Sequence, residues 1–390
     1  MKLSLPFIAC LFLAGTVHPQ NLYESIAHYD GTQRIMNTQS VGKNITYPSK
    51  IDPVRILYQS AFSEIISMLN GTQPASFKRA VFEVENAYLD GMLDWEAFQM
   101  ELDLLKGLAR QVMQTRKLNY DGRDKSTVET HAALFTVMTD TLAVLLNNEV
   151  SVKHLPFRYD FEDVFGQSDW SQMFVTKLLT TRTGNCHSLP YLYKILSEDM
   201  NVPAHLALAP NHVYIKLRNE QSGWYNTELT SGQFPIDAWI LASGYVQIEA
   251  IRNGIYMEAL TNRQSLALML VDLAIGYERK TAGMDPDFVI DIIEKALEYD
   301  PNSINALLLK AKTFSKKLQR DMMKLGFETL EEIKRDIPVK EKVLKVERLY
   351  SKIHNLGYRQ MPEEMYMVWL HSLEKETEKY QNTILPFLNN

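Results

Sequence analysis

Apolar residues recur at helical spacing on both flanks of this chain. Between them, from residue 150 to 260, the pattern changes to strand-like alternation with turn signals. A chain patterned this way is expected to fold as α+β. Helical regions would span 21–149 and 261–390, around a central block at 150–260, with 21–52 a polar lead-in. In the first region Ile56, Leu57, Ala61, Ile65 and Leu69 form a stripe that stops at Gly71. Ser76 precedes a second run, Ala80 to Tyr88, that ends near Gly91. A third run carries Phe98, Leu102, Leu105, Leu108, Ala109 and Val112. Val128 to Leu146 is largely apolar and predicts one buried helix.

Composition removes several alternatives. At 46% hydrophobic and 23% charged residues, the chain is neither disordered nor collagen-like. Two cysteines cannot build a disulfide scaffold. A net charge of −6 argues against binding a nucleic-acid backbone, which needs clustered Lys and Arg. Lys2 followed by the apolar run Leu3–Ala14 has the pattern of a signal peptide over residues 1–20. The run is too short to span a membrane. Cleavage there predicts an exported protein, periplasmic or extracellular, with no stable membrane insertion. It also removes Cys10, leaving Cys186 as the single thiol of the mature chain.

That thiol lies in Thr183-Gly184-Asn185-Cys186-His187-Ser188-Leu189-Pro190. A Gly-containing turn runs into an apolar helix, and Pro190 suits its first turn. At a helix start the dipole favours thiolate, and free N–H groups can hold an oxyanion. Downstream, Pro210-Asn211-His212 opens an alternating strand with His212, Tyr214 and Lys216 on one face. The polar turn Asn219–Gly223 leads to a second strand carrying Asn226 and Glu228. A hairpin symmetric about Glu220 places Glu228 directly across from His212, and Asn226 across from Tyr214. A thiolate, a base and a group that orients the base are what nucleophilic cysteine catalysis requires.

The Gly-Asn-Cys at a helix start, the Pro-Asn-His on the next strand and the Glu on the strand after it resemble the transglutaminase-like superfamily, whose core is a papain-like fold. The resemblance covers about residues 150–260 and matches the chain order Cys, His, acid. It implies Cys186 as nucleophile, His212 as base and Glu228 as the orienting residue. That third position is most often Asp in the superfamily, so Asn226 on the same face is a second candidate. Gln172 is an auxiliary oxyanion candidate. His187 and His205 are rival bases, though His187 is expected to point away from the thiol.

The expected function is an exported acyl-transfer enzyme acting on an amide or peptide bond, with water or an amine as acceptor. The alternative is a catalytically degenerate module that binds a peptide or protein. The C-terminal helices are a candidate surface for a protein partner. There, Ile292 to Leu297, Asp300-Pro301-Asn302 and Ala306 to Ala311 resemble parts of two tetratricopeptide repeats, and a plain helical hairpin broken at Pro301 reads equally well. No HExxH, CxxC or Gly-rich phosphate loop occurs, so neither a metal nor a cofactor is expected.

Overall fold

The computed structural model describes residues 52–146, 150–327 and 336–380. The predicted signal peptide lies outside them. Among the described residues the fold is α+β, mostly helical, with three small sheets.

Four helices lead: α1 (Pro53–Leu69), α2 (Phe77–Tyr88), α3 (Trp95–Thr115) and α4 (Lys125–Thr139). Asp52, Ser76 and Asp94 cap the first three by accepting from first-turn N–H groups. The fourth apolar run does not continue as a helix to Leu146. Helix α4 stops at Asp140, and Leu142–Leu146 forms strand β1, antiparallel to β2 (Val150–His154). An unbroken run of Leu, Ala and Val has no period of its own, so strand and helix read alike there. Strand β3 (Arg158–Tyr159) pairs parallel with β4 (Thr183–Gly184), across a 3-10 turn (Trp170–Met173) and helix α5 (Val175–Thr181).

Helix α6 (Ser188–Asp199) follows, then the antiparallel sheet β5 (His205–Ala209), β6 (His212–Asn219) and β7 (Gly223–Thr227). Every residue of α6 from Ser188 to Ser197 is buried, because the helix lies between this sheet and α2, α3 and α4. Two carboxylates of the helical layer, Glu85 buried and Glu198 partly buried, hold these elements in place. Glu198 of α6 accepts from the Phe77 N–H at the start of α2 at 3.0 Å. Glu85 of α2 accepts from the N–H groups of Val175 and Thr176 at the start of α5, at 2.7 and 2.9 Å. Burial, only partly offset by these bonds, pushes the Glu85 carboxyl up to about 7.

Short helices α7 (Asp237–Leu241) and α8 (Ile248–Arg252) lead to α9 (Asn262–Lys280), α10 (Pro286–Tyr299), α11 (Ile304–Leu325) and α12 (Ile337–Asn355). Helix α9 is buried along most of its length, packed on α1, α2 and α10. Helices α10, α11 and α12 then pack in succession, with Pro301 in the turn between the first two. Helix α13 (Glu363–Lys375) and the turn α14 (Thr377–Tyr380) return to the central sheet. One apolar cluster runs through all these parts, from Tyr58 to Tyr380. Among the described residues no helix is long and apolar enough to cross a membrane.

Candidate active site

The Gly-Asn-Cys turn is explained residue by residue. A Cβ on Gly184 would stand 2.3 Å from Ser188 Oγ and 2.9 Å from Leu178 Cδ1, so only glycine fits. Ser188 Oγ in turn accepts the Asn185 N–H at 3.0 Å and donates to the Gln172 carbonyl at 3.2 Å. The fully buried Asn185 side chain accepts from the N–H groups of His187 (2.9 Å) and Ser188 (3.2 Å), and donates to the Val164 carbonyl at 3.1 Å. Asn185 thereby caps α6 from outside the helix. Of the N–H groups at this helix start, those of His187 and Ser188 are taken by Asn185. Among the described residues that of Cys186 has no protein acceptor.

Pro210 and Asn211 make the tight β5–β6 turn. Asn211 takes a left-handed φ of +57°, the second central position of a type II turn with proline at the first. The turn aims the Asn211 carbonyl at Cys186, with its oxygen 3.7 Å from Sγ. It also starts β6 at His212. Near His212 both faces of β6 are covered.

The β6–β7 register differs from the expected one. Asn219 pairs with Gly223 and Ile215 with Thr227, so the hairpin is centred on Gln221 rather than Glu220. Gly223 ends the turn at a left-handed φ of +69°, the residue that shifts the centre. A shift of two keeps every side chain on its face but makes the His212–Glu228 approach diagonal. Glu228 spans that diagonal: its Oε2 accepts from His212 Nε2 at 2.5 Å. Its Oε1 accepts from the Thr230 N–H and hydroxyl at 2.9 and 2.7 Å. The acid is fixed at both oxygens.

Asn226 is not part of this arrangement. It pairs with Lys216 in the register and donates to the Pro235 carbonyl and Asp237, at 3.0 and 2.8 Å. Gln172 anchors the cysteine turn through its backbone carbonyl, while its side-chain oxygen is bound by Lys177. His187 uses both ring nitrogens elsewhere, on the Met173 carbonyl at 3.0 Å and on Asp272 at 3.1 Å. His205 bonds the Leu260 carbonyl.

The second nitrogen of His212, Nδ1, meets a residue that sequence reasoning missed. The Tyr366 hydroxyl of α13 lies 3.0 Å from it and 3.2 Å from the Tyr159 hydroxyl. Trp239 and Trp369 stack on each other and stand edge-on to the His212 ring. The only local signal for the pair Tyr366 and Trp369 is their shared stripe with Leu370 and Leu373 on an ordinary amphipathic helix.

Cys186 is 6% exposed, His212 3% and Glu228 1%. Burial would lower the His212 imidazole, but the Glu228 carboxylate and the Cys186 sulfur outweigh it and raise the ring to about 10. Burial would raise Glu228, and His212 with Thr230 holds it below the usual carboxylate range. Burial would likewise raise the Cys186 thiol. Hydrogen bonding and charge from His212, helped by Tyr366 and His187, bring it below the ordinary thiol range instead. Burial, then Cys186, drives the Tyr366 hydroxyl far upward, so it stays a neutral phenol. The arrangement favours a thiolate–imidazolium pair. Among the described residues no cluster of His, Cys, Asp and Glu could hold a metal ion.

No protein-family model and no curated protein matches the chain. Among solved structures it is similar to one described as "Crystal structure of menin reveals the binding site for Mixed Lineage Leukemia (MLL) protein". The two share 14% identity over 87% of this chain and 94% of that one, with a TM-score of 0.31. A likeness at that level carries nothing about fold or function.

Proposed function

We propose that this chain is an exported cysteine-nucleophile acyl-transfer enzyme of transglutaminase-like type, with a papain-like core at residues 150–260 and a peptide or protein substrate. The observation that carries the reading is the buried His212–Glu228 pair, with Nε2 and Oε2 2.5 Å apart, next to a thiol whose pKa His212 lowers. The Cys186 thiolate attacks an amide carbonyl, and the Cys186 N–H is placed to receive the oxyanion. The His212 imidazolium gives its Nδ1 proton to the leaving amine as the C–N bond breaks, leaving a thioester. Water or a second amine then attacks the thioester, losing a proton to His212, and the thiolate leaves. Glu228 keeps Nε2 protonated and the ring aimed.

The test is the ultraviolet absorbance of the thiolate across pH, taken as the difference between the wild-type chain and Cys186→Ala. A midpoint well below 8.5 supports the reading, and an ordinary midpoint argues for an inert thiol. Hydrolysis of a fluorogenic peptide amide that survived Cys186→Ala would exclude Cys186 as nucleophile.

A second reading, a catalytically degenerate scaffold that binds a peptide or protein, is favoured by one observation. The site is closed, with Tyr366 seated on the nitrogen that acyl transfer needs.

A further inference from the structure

Helix α13 roofs the Cys186 site. Its inward stripe is Tyr366, Trp369, Leu370 and Leu373, while Met365 and Val368 face solvent. Among the described residues, hydrogen bonds beyond those of the Tyr366 hydroxyl with His212 and Tyr159 join residues 361–380 to the central block. Asn211 Nδ2 donates to the Met361 carbonyl at 2.8 Å, and the Ile236 N–H to the Tyr380 carbonyl at 2.8 Å. Trp369 Nε1 donates to the Trp239 carbonyl at 2.8 Å, and Trp239 Nε1 to Ser372 Oγ at 3.2 Å. Asn211 and Ile236 therefore bind main-chain carbonyls, a mode of contact open to any peptide laid along the same line. Side-chain recognition comes from two aromatic positions. The Trp369 ring stacks on Trp239 with centroids 4.3 Å apart and planes 15° from parallel. Tyr366 enters a slot lined by Tyr159, Phe165 and His212.

We propose that residues 361–380 occupy the substrate groove of Cys186 as a tethered ligand that swings out as a unit, and that the vacated groove takes a peptide segment presenting two aromatic side chains one helical turn apart. The groove's purpose rests on the acyl-transfer reading; the opening does not. A tethered segment competes at millimolar effective concentration, so weakly matched peptides stay excluded. A strap held along one face opens at a lower free energy than the core beneath it.

The experiment follows iodoacetamide alkylation of Cys186 in the full chain, by peptide mass mapping over a series of urea concentrations below the unfolding transition. Strap opening predicts an alkylation rate with a much weaker urea dependence than global unfolding followed by circular dichroism. Trp369→Ala should speed alkylation at least tenfold in water, and Tyr366→Phe, which removes only the hydroxyl, should speed it less. A synthetic peptide of residues 361–380 should slow alkylation of the Trp369→Ala chain several-fold, and a scrambled peptide should not. Alkylation that tracks global unfolding in the wild type and in both variants would overturn the strap. Equal protection by the scrambled peptide, or none by either, would overturn the aromatic groove. A strap that opens over a thiol of ordinary pKa would defeat the acyl-transfer reading and leave the strap standing.

Discussion

His212 Nε2 and Glu228 Oε2 lie 2.5 Å apart across a diagonal of the β6–β7 hairpin, both groups buried. The diagonal explains the choice of acid. A carboxylate directly opposite the histidine could sit on a short side chain, but two residues off register the reach is longer. Glu228 covers it while its second oxygen is held by Thr230.

Glu228→Gln should raise the Cys186 pKa. The carboxylate is the foremost group raising His212, and His212 is the foremost group lowering the thiol. Without the charge the imidazolium deprotonates at lower pH and the thiolate loses its partner. The thiolate absorbance midpoint should climb by about one pH unit or more, roughly a tenfold change. Glu228→Asp keeps the charge but falls one methylene short, so its midpoint should lie between those of wild type and Glu228→Gln. A midpoint unmoved in Glu228→Gln would show that Glu228 does not act through His212.

The face of this site was legible in the sequence and its depth was not. Alternation places His212, Tyr214 and Glu228 on one face whichever of the two registers holds, because a shift of two preserves parity. The centre of the turn was not legible, since Asn219, Glu220, Gln221 and Ser222 are all polar turn formers and only the backbone angle of Gly223 decides. Helix ends marked by Ser76 and Gly71 fall close to where they were read, because caps are local chemistry. Tyr366 was invisible for the opposite reason. It reaches His212 across 154 positions of sequence, and nothing local separates it from any other apolar-face tyrosine.

Gly184→Ala should destabilise the chain through the cysteine turn. The added methyl meets Ser188 Oγ and Leu178, and relieving that overlap moves α5 or α6 at a cost of about 1–3 kcal/mol. Ser188→Ala removes the oxygen that crowds Gly184 but strands the buried Asn185 N–H. The double variant should therefore cost less than the sum of the two single ones. Urea denaturation of all four chains checks this, and strict additivity would mean that the two residues do not press on each other.

Asn185→Ala leaves two N–H groups at the start of α6 without an acceptor in a buried place. The expected loss is about 2–6 kcal/mol, at about 1–3 kcal/mol for each stranded group. Asn185→Asp keeps the acceptor oxygen and loses the donor to the Val164 carbonyl. It should recover part of that loss, and if Asp is as damaging as Ala, the capping role is wrong. The readout is again the urea midpoint at constant slope.

His131 on α4 should make the fold acid-sensitive. It is buried, stacked on Tyr193 with planes 13° apart, and burial lowers its pKa to about 4. A ring that titrates near 6.5 when unfolded and near 4 when folded binds fewer protons in the native state. Its contribution is therefore complete above 6.5 and is lost as pH falls from 6.5 toward 4. At 1.36 kcal/mol per unit the loss is about 3 kcal/mol. Glu85 acts with the opposite sign: its raised carboxyl gives up stability as pH rises through about 7. Wild-type stability is thus a sum of two opposed slopes, and a variant is needed to separate them. His131→Phe keeps an aromatic ring against Tyr193, whose hydroxyl can still donate to the carbonyl of residue 131. Urea unfolding from pH 7 to pH 4 should show the variant gaining on the wild type by about 3 kcal/mol over that window, with Glu85 cancelling in the difference. Parallel curves would mean that His131 titrates alike in the folded and the unfolded chain, and the burial argument would fail.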